Sequence, residues 1–249
     1  MNEKPVALVT GANKGIGLQI AKDLSMHGFT VVVGSRRLEA GELAATSIGG
    51  DALAVQLDVT SQESIAGAAE RIGKELGRLD VLVNNAGISR AEVPGRSFDE
   101  AAARDPVGIA SLDEIRTVFE TNVFGVIGVT QAMLPLLREA PAGRIVNIGS
   151  SAGSLTRNAD PTTPHHWIFG TYSASKAAAH AITVALASEL ASTGIKVNAA
   201  CPGFTATDLN DSLGTRSVEE AAREPVRLAM LDVDGPTGTF SNDDGPVPW

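Results

Sequence analysis

Tyr172 and Lys176 stand four residues apart at the head of a run, Ala177 to Leu190, that is rich in helix formers. Four residues make about one helical turn, so in a helix the phenol and the ammonium project from one face as neighbours. A nearby cation favours the phenolate and draws a tyrosine down from its ordinary value of about 10, toward the range where it trades protons near neutrality. A tyrosine that gives up a proton is what reduction of a carbonyl needs. The pair alone is common on amphipathic helices, so its meaning depends on what the chain brings beside it.

Thr10-Gly11-Ala12-Asn13-Lys14-Gly15-Ile16-Gly17 follows the short apolar run Val6 to Val9 and opens a stripe of Ile16, Ile20 and Leu24. Strand, glycine turn and helix in that order bring a helix N-terminus to a pyrophosphate, and the glycines let backbone come close. The spacing G-x-x-x-G-x-G differs from the G-x-G-x-x-G of long-chain dehydrogenases. The second strand, Thr30 to Gly34, runs into Ser35-Arg36-Arg37. An acidic residue about 20 positions beyond the glycine turn would take the ribose hydroxyls of NAD. Arginines present a fixed fork of donors to phosphate instead, so Arg36 and Arg37 predict NADP(H), with Lys14 as a second positive charge.

The elements that must position these groups repeat along the chain. Leu38 to Ile48 reads as a helix, Ala52 to Leu57 as a third strand ending at Asp58-Val59, and Thr60-Ser61-Gln62-Glu63 as a capping box. Asp80 to Val83 is a fourth strand, followed at once by Asn84-Asn85-Ala86-Gly87. Residues 88–110 read as a long loop, and Ser111 opens a helix that carries Asn122 and runs to Leu137. Arg144 to Gly149 is the fifth strand, with Ser150 and Ser151 at its carboxyl end. Residues 153–169 read as an irregular insertion in which Trp167 and Phe169 are expected to help wall an apolar substrate pocket. The adjacent His165 and His166 lack a third ligand at useful spacing, so no metal is expected. Ile195 to Ala200 is the sixth strand, ending in Cys201-Pro202-Gly203-Phe204-Thr205-Ala206-Thr207, and Ser217-Val218-Glu219-Glu220 caps a last helix before the short strand candidate Thr239-Phe240. Strands alternating with helices predict a parallel, doubly wound sheet whose ligands sit beyond the carboxyl ends of the strands.

With 249 residues, 43% hydrophobic and 20% charged, the chain fits one large α/β domain, and no linker divides it. A net charge of -9 with scattered basic residues argues against nucleic acid. One cysteine excludes an internal disulfide, and the sequence carries neither an apolar leader nor a membrane-length apolar run. A cytoplasmic protein is expected.

Taken together, Thr10-Gly11-x-x-x-Gly15-x-Gly17, Asp58, Asn84-Asn85-Ala86-Gly87, Asn122, Ser150, Tyr172-x-x-x-Lys176 and Pro202-Gly203 resemble the short-chain dehydrogenase/reductase family from end to end. Asn13-Lys14-Gly15-Ile16-Gly17, the Ser217 to Pro225 segment and the tail Gly235-Pro236-Thr237-Gly238 with Trp249 are most similar to its NADPH-dependent carbonyl reductases. The resemblance implies a single Rossmann-type domain of about seven parallel strands. It implies Tyr172 as the acid that protonates the carbonyl oxygen, Ser150 as the hydroxyl that orients it, and Lys176 as the cation beside Tyr172 that also binds the nicotinamide ribose. Asn122 would hold a relay water. NADP(H) would lie along Gly11, Asn13, Lys14, Gly15, Ile16, Gly17, Arg36, Arg37, Asp58, Val59, Asn85, Ala86, Gly87, Tyr172, Lys176, Pro202, Gly203, Thr205 and Thr207.

Two departures from the family pattern bear on assembly. The stretch from Ser150 to Tyr172 is longer than usual though shorter than the insertion of the monomeric animal carbonyl reductases, and the tail lacks the common Asp-Gly-Gly ending. A homo-oligomer, dimer or tetramer, is the expectation, with a monomer the alternative. The function expected is NADPH-dependent reduction of aldehydes or ketones, with loops 88–110, 154–170 and 204–218 shaping the pocket. The alternatives are a secondary-alcohol or hydroxysteroid dehydrogenase working oxidatively, and a non-catalytic NADP(H) sensor.

Overall fold

The computed structural model describes residues 4–91, 106–163 and 170–249. Parallel strands buried on both faces read as near-continuous apolar runs, as in β1 (Val6–Thr10), β2 (Thr30–Ser35), β3 (Leu53–Gln56) and β4 (Val81–Asn84), whereas β5 (Arg144–Ile148) and β6 (Lys196–Ala200) carry Asn147 and Asn198 within them and β7 (Phe240–Asn242) is mostly polar. They lie in the order β3-β2-β1-β4-β5-β6-β7, all parallel. An eighth strand, the two-residue β8 (Gly245–Pro246), turns back antiparallel on β7 and covers that edge. Sequence predicts about seven strands; the added one is a tight return that no apolar run announces.

Helices α1 (Gly15–Met26), α2 (Leu38–Ile48), α3 (Gln62–Leu76), α4 (Leu112–Phe119), α5 (Gly125–Arg138), α6 (Leu155–Ala159), α7 (Thr171–Glu189) and α8 (Val218–Ala229) fill both faces. Alternate residues of one strand enter opposite cores, as the pleat requires. Ala7 and Val9 of β1 pack with Ile20 and Leu24 of α1 and Val226 of α8. Val6 and Leu8 pack with Ile65 and Ile72 of α3 and Met133 and Leu137 of α5.

Local chemistry sets the helix ends. Ser111 with Glu114, and Ser217 with Glu220, form the capping boxes their spacing predicts. At α3 the cap is one residue later than expected: Ser61 accepts the Ser64 N–H, while the Thr60 N–H and hydroxyl both donate to Asp58. The long helix expected from Ser111 is interrupted at Asn122 by a π-helical turn, Glu120–Phe124, between α4 and α5. Such turns recur at functional positions. Loop 153–169, expected to be irregular, includes the short α6.

Candidate active site

The crevice lies where β1 and β4 part, since the chain winds outward in both directions from that pair. Gly11 turns the chain off β1 with φ of 64°, a value L side chains rarely take. Gly17 is small for a different reason: a Cβ there would sit 2.3 Å from the Asn85 amide nitrogen. That amide donates to the Thr10 carbonyl at 2.8 Å, and the Thr10 hydroxyl accepts the N–H groups of both Asn85 and Ala86. Asn85 thus fastens the end of β4 to the glycine turn, and Ala86 and Gly87 follow beside it.

The first turn of α1 has no acidic residue and no side-chain cap, unlike α3, α4 and α8, whose N-termini are capped by serines. Its leading N–H groups are therefore left for an anion. Lys14 points its ammonium at Asp208 instead, 2.6 Å away across an exposed ion pair. Ser89 donates to the Leu209 carbonyl and Arg90 pairs with Asp211 at 3.1 Å. Those contacts clasp the segment after β6 against both the glycine turn and the chain after β4. Arg36 and Arg37 are exposed at the end of β2 and have no ion-pair partner among the described residues. Asp58 is taken up by Thr60, and Val59 packs under Gly125. Thr205 bonds back to Pro202 and Gly203, while the Thr207 N–H donates to the Asn210 side-chain oxygen at 3.3 Å across the turn Asp208–Asn210. A cradle of glycines, an uncapped helix end and two unpaired arginines at the neighbouring strand end form a donor set that fits a phosphorylated dinucleotide.

Tyr172 and Lys176 both belong to α7, one turn apart, with the Lys176 Nζ 5.9 Å from the centre of the tyrosine ring. Lys176 is 7% exposed and donates to the Ile148 carbonyl at 2.8 Å. Burial pushes its ammonium down to about 8, against the opposing influence of Cys201. Ser150 opens a 3-10 turn, Ser151–Gly153, and its Oγ accepts the Ala152 N–H at 3.2 Å, which leaves its own hydrogen to donate. Gly153 lies so close to α7 that a Cβ would meet the Lys176 backbone at 2.7 Å, so the Ser150 turn is pressed onto the helix that carries Tyr172.

Asn122 is fully buried in the π-helical turn. Its Oδ1 accepts the Ile88 N–H at 2.9 Å, and its Nδ2 donates to the Ile88 carbonyl and to the Ser175 hydroxyl at 2.8 and 3.0 Å. The resemblance implies that Asn122 holds a relay water; its side-chain oxygen and nitrogen bond to Ile88 and Ser175 and so pin the strand-end loop to α7.

Sequence reasoning missed a buried network behind the site. The Asn84 amide donates to Thr130 and to Asn147, and Asn147 donates to Thr183 at 2.9 Å. Asn84 and Asn147 are register partners on β4 and β5, a relation that emerges only once strand order is known. His180, Asp208 and Asp211 were also missed; for His180 the four-residue spacing from Lys176 was the available signal. Of the predicted residues, those of loop 88–110 beyond Ala91 and before Pro106, and His165, His166, Trp167 and Phe169, lie outside the described residues.

A family model described as short chain dehydrogenase matches residues 5–217. The chain belongs to the short-chain dehydrogenase/reductase family. Within that family it is 34% identical to "Short-chain dehydrogenase/reductase 1" of Saponaria officinalis over 99% of this chain and 97% of that protein. It is 31% identical to "Carbonyl reductase [NADPH] 1" of Mus musculus over 100% of this chain and 99% of that one. The solved structure of salutaridine reductase from Papaver somniferum superposes with a TM-score of 0.81 at 29% identity, covering 96% of this chain and all of that one. The protein is accordingly an oxidoreductase of this family, related to enzymes that reduce carbonyls and acting on small molecules. No helix among the described residues is long and apolar enough to cross a membrane.

Proposed function

We propose that this short-chain dehydrogenase/reductase is an NADPH-dependent reductase of aldehydes and ketones with Tyr172 as its general acid. The observation that carries this is the buried Lys176 beside Tyr172 on α7, with the Ser150 turn pressed against the same helix. The glycine turn and the open N-terminus of α1 would hold the pyrophosphate, and Arg36 and Arg37 the 2′-phosphate. When bound, NADPH supplies the hydride. Ser150 donates its hydroxyl hydrogen to the substrate oxygen, and Tyr172 gives that oxygen its phenolic proton. The Lys176 ammonium stabilises the tyrosinate left behind, as a fixed charge in a water-poor site does best. Asn122 holds Ile88 and Ser175 together, so the loop above the site and the first turns of α7 keep one spacing. Exposed Phe204, Leu209 and Leu213 on the 204–218 segment support a substrate with an apolar body.

Tyr172→Phe tests the role of the acid. Turnover should fall at least about a thousand-fold while NADPH affinity changes little; turnover that survives within ten-fold would assign the proton to another group.

A further inference from the structure

His180 lies two turns beyond Tyr172 and one beyond Lys176 on the same stripe of α7. It is 4% exposed, and its ring packs on Phe240 at 4.2 Å between centroids and edge-on to Trp249 at 5.5 Å. Its Nε2 accepts the backbone N–H of Ser150 at 3.3 Å. The neighbouring Gly149 runs so close that a Cβ there would sit 2.6 Å from the same nitrogen. An imidazole nitrogen that accepts an N–H carries no proton itself, so in the neutral ring the proton is on Nδ1. Burial first, and then the Lys176 charge, push the imidazole down to about 4 against the opposing pull of the Gly153 backbone, which keeps the ring neutral and Nε2 open as an acceptor.

Three consecutive turns of α7 grip the end of β5 in sequence: Lys176 takes the Ile148 carbonyl, His180 the Ser150 N–H, and Thr183 the Asn147 amide. We propose that His180 is a positioning residue for the reaction, its neutral imidazole fixing the backbone of Ser150 so that the serine hydroxyl stays in register with Tyr172 on the same helix. This inference rests on the function proposed above, because it acts through Ser150. Side chains that hold reacting groups in place act by removing small misplacements, to which rates are sensitive.

The test is a double-mutant cycle in the full chain, with carbonyl turnover, NADPH affinity and thermal midpoint measured for each protein. His180→Leu removes the acceptor, whereas His180→Gln keeps a carbonyl oxygen that can reach the same N–H. His180→Leu should lower kcat about ten-fold or more with KM and NADPH affinity within about two-fold, and His180→Gln should recover most of that loss. In a Ser150→Ala background the His180→Leu loss should shrink to about two-fold, since there is no hydroxyl left to place. An equal loss in both backgrounds, or no rescue by Gln at matched thermal midpoint, would make His180 a packing residue and overturn the inference. The tautomer gives a readout free of activity: ¹⁵N shifts assigned to His180 by difference from His180→Gln should report a proton on Nδ1 alone, and a proton on Nε2 would overturn the inference. Should the wild type reduce no carbonyl, the proposed function fails by that result, and the tautomer alone decides about His180.

Discussion

Lys176 is the residue on which most of the electrostatics turn. Its ammonium is buried against the Ile148 carbonyl, and burial costs the charged form and brings it to about 8 from 10.5. The unfolded chain therefore holds the extra proton between about 8 and 10.5, and a charged Lys176 weighs against folding at neutral pH, a cost that fades as pH rises through that window. On the proposed mechanism activity has the opposite dependence, because there the Lys176 charge steadies a tyrosinate. The value of kcat/KM for carbonyl reduction should fall as pH rises through about 8, where free-enzyme groups are reported. A pH profile flat to 10 would separate Lys176 from the proton chemistry. The Tyr-Lys pair and the glycines are type-and-spacing signals within short segments that gain meaning only together, and Ser150 was legible only through the family resemblance. The work of Asn122 was not: nothing in the sequence near it says that its amide closes on Ile88, 34 positions upstream.

At the scale of elements, one helix and one strand end do most of the positioning. α7 supplies Tyr172 and Lys176 and grips Asn147, Ile148 and Ser150 at the end of β5, so the proposed acid Tyr172 and the proposed orienting hydroxyl of Ser150 are placed by a single helix-strand contact. The glycine turn depends in the same way on β4. Gly17→Ala would drive its Cβ into the Asn85 amide and the Gly11 carbonyl, at 2.3 and 2.8 Å. The clash should cost about 1–3 kcal/mol in urea unfolding and weaken NADPH about ten-fold or more; unchanged affinity would remove the turn from the cofactor site. Most strands were easy to read, since β1 to β6 are short, largely apolar runs bounded by turn residues. The ends of elements were harder: Thr121, Asn122, Val123, Phe124 and Gly125 are weak helix formers but their types do not say where a π-helical turn falls, and β8 consists of a Gly and a Pro.

For the molecule as a whole, net charge and local charge point in opposite directions. The chain carries -9 overall, yet the carboxyl end of β2 presents two arginines with no ion-pair partner among the described residues and α1 an uncapped positive end, beside a Lys14 held by Asp208. A negative body with a basic crevice suits a small anionic ligand better than a polyanion. The alternation of strands and helices made the doubly wound order legible, and the clasp between the 204–218 segment, Lys14, Ser89 and Arg90 was not, because it joins residues more than a hundred positions apart. The most direct measurement is consumption of NADPH and of NADH by the wild type and Arg36→Asp, against a panel of aldehydes, aryl ketones, keto esters and quinones. The account predicts turnover of several carbonyls by the wild type, with NADPH preferred about ten-fold or more over NADH and the preference narrowed by Arg36→Asp. Tight NADPH binding with no carbonyl reduced, or equal use of the two cofactors, would contradict it.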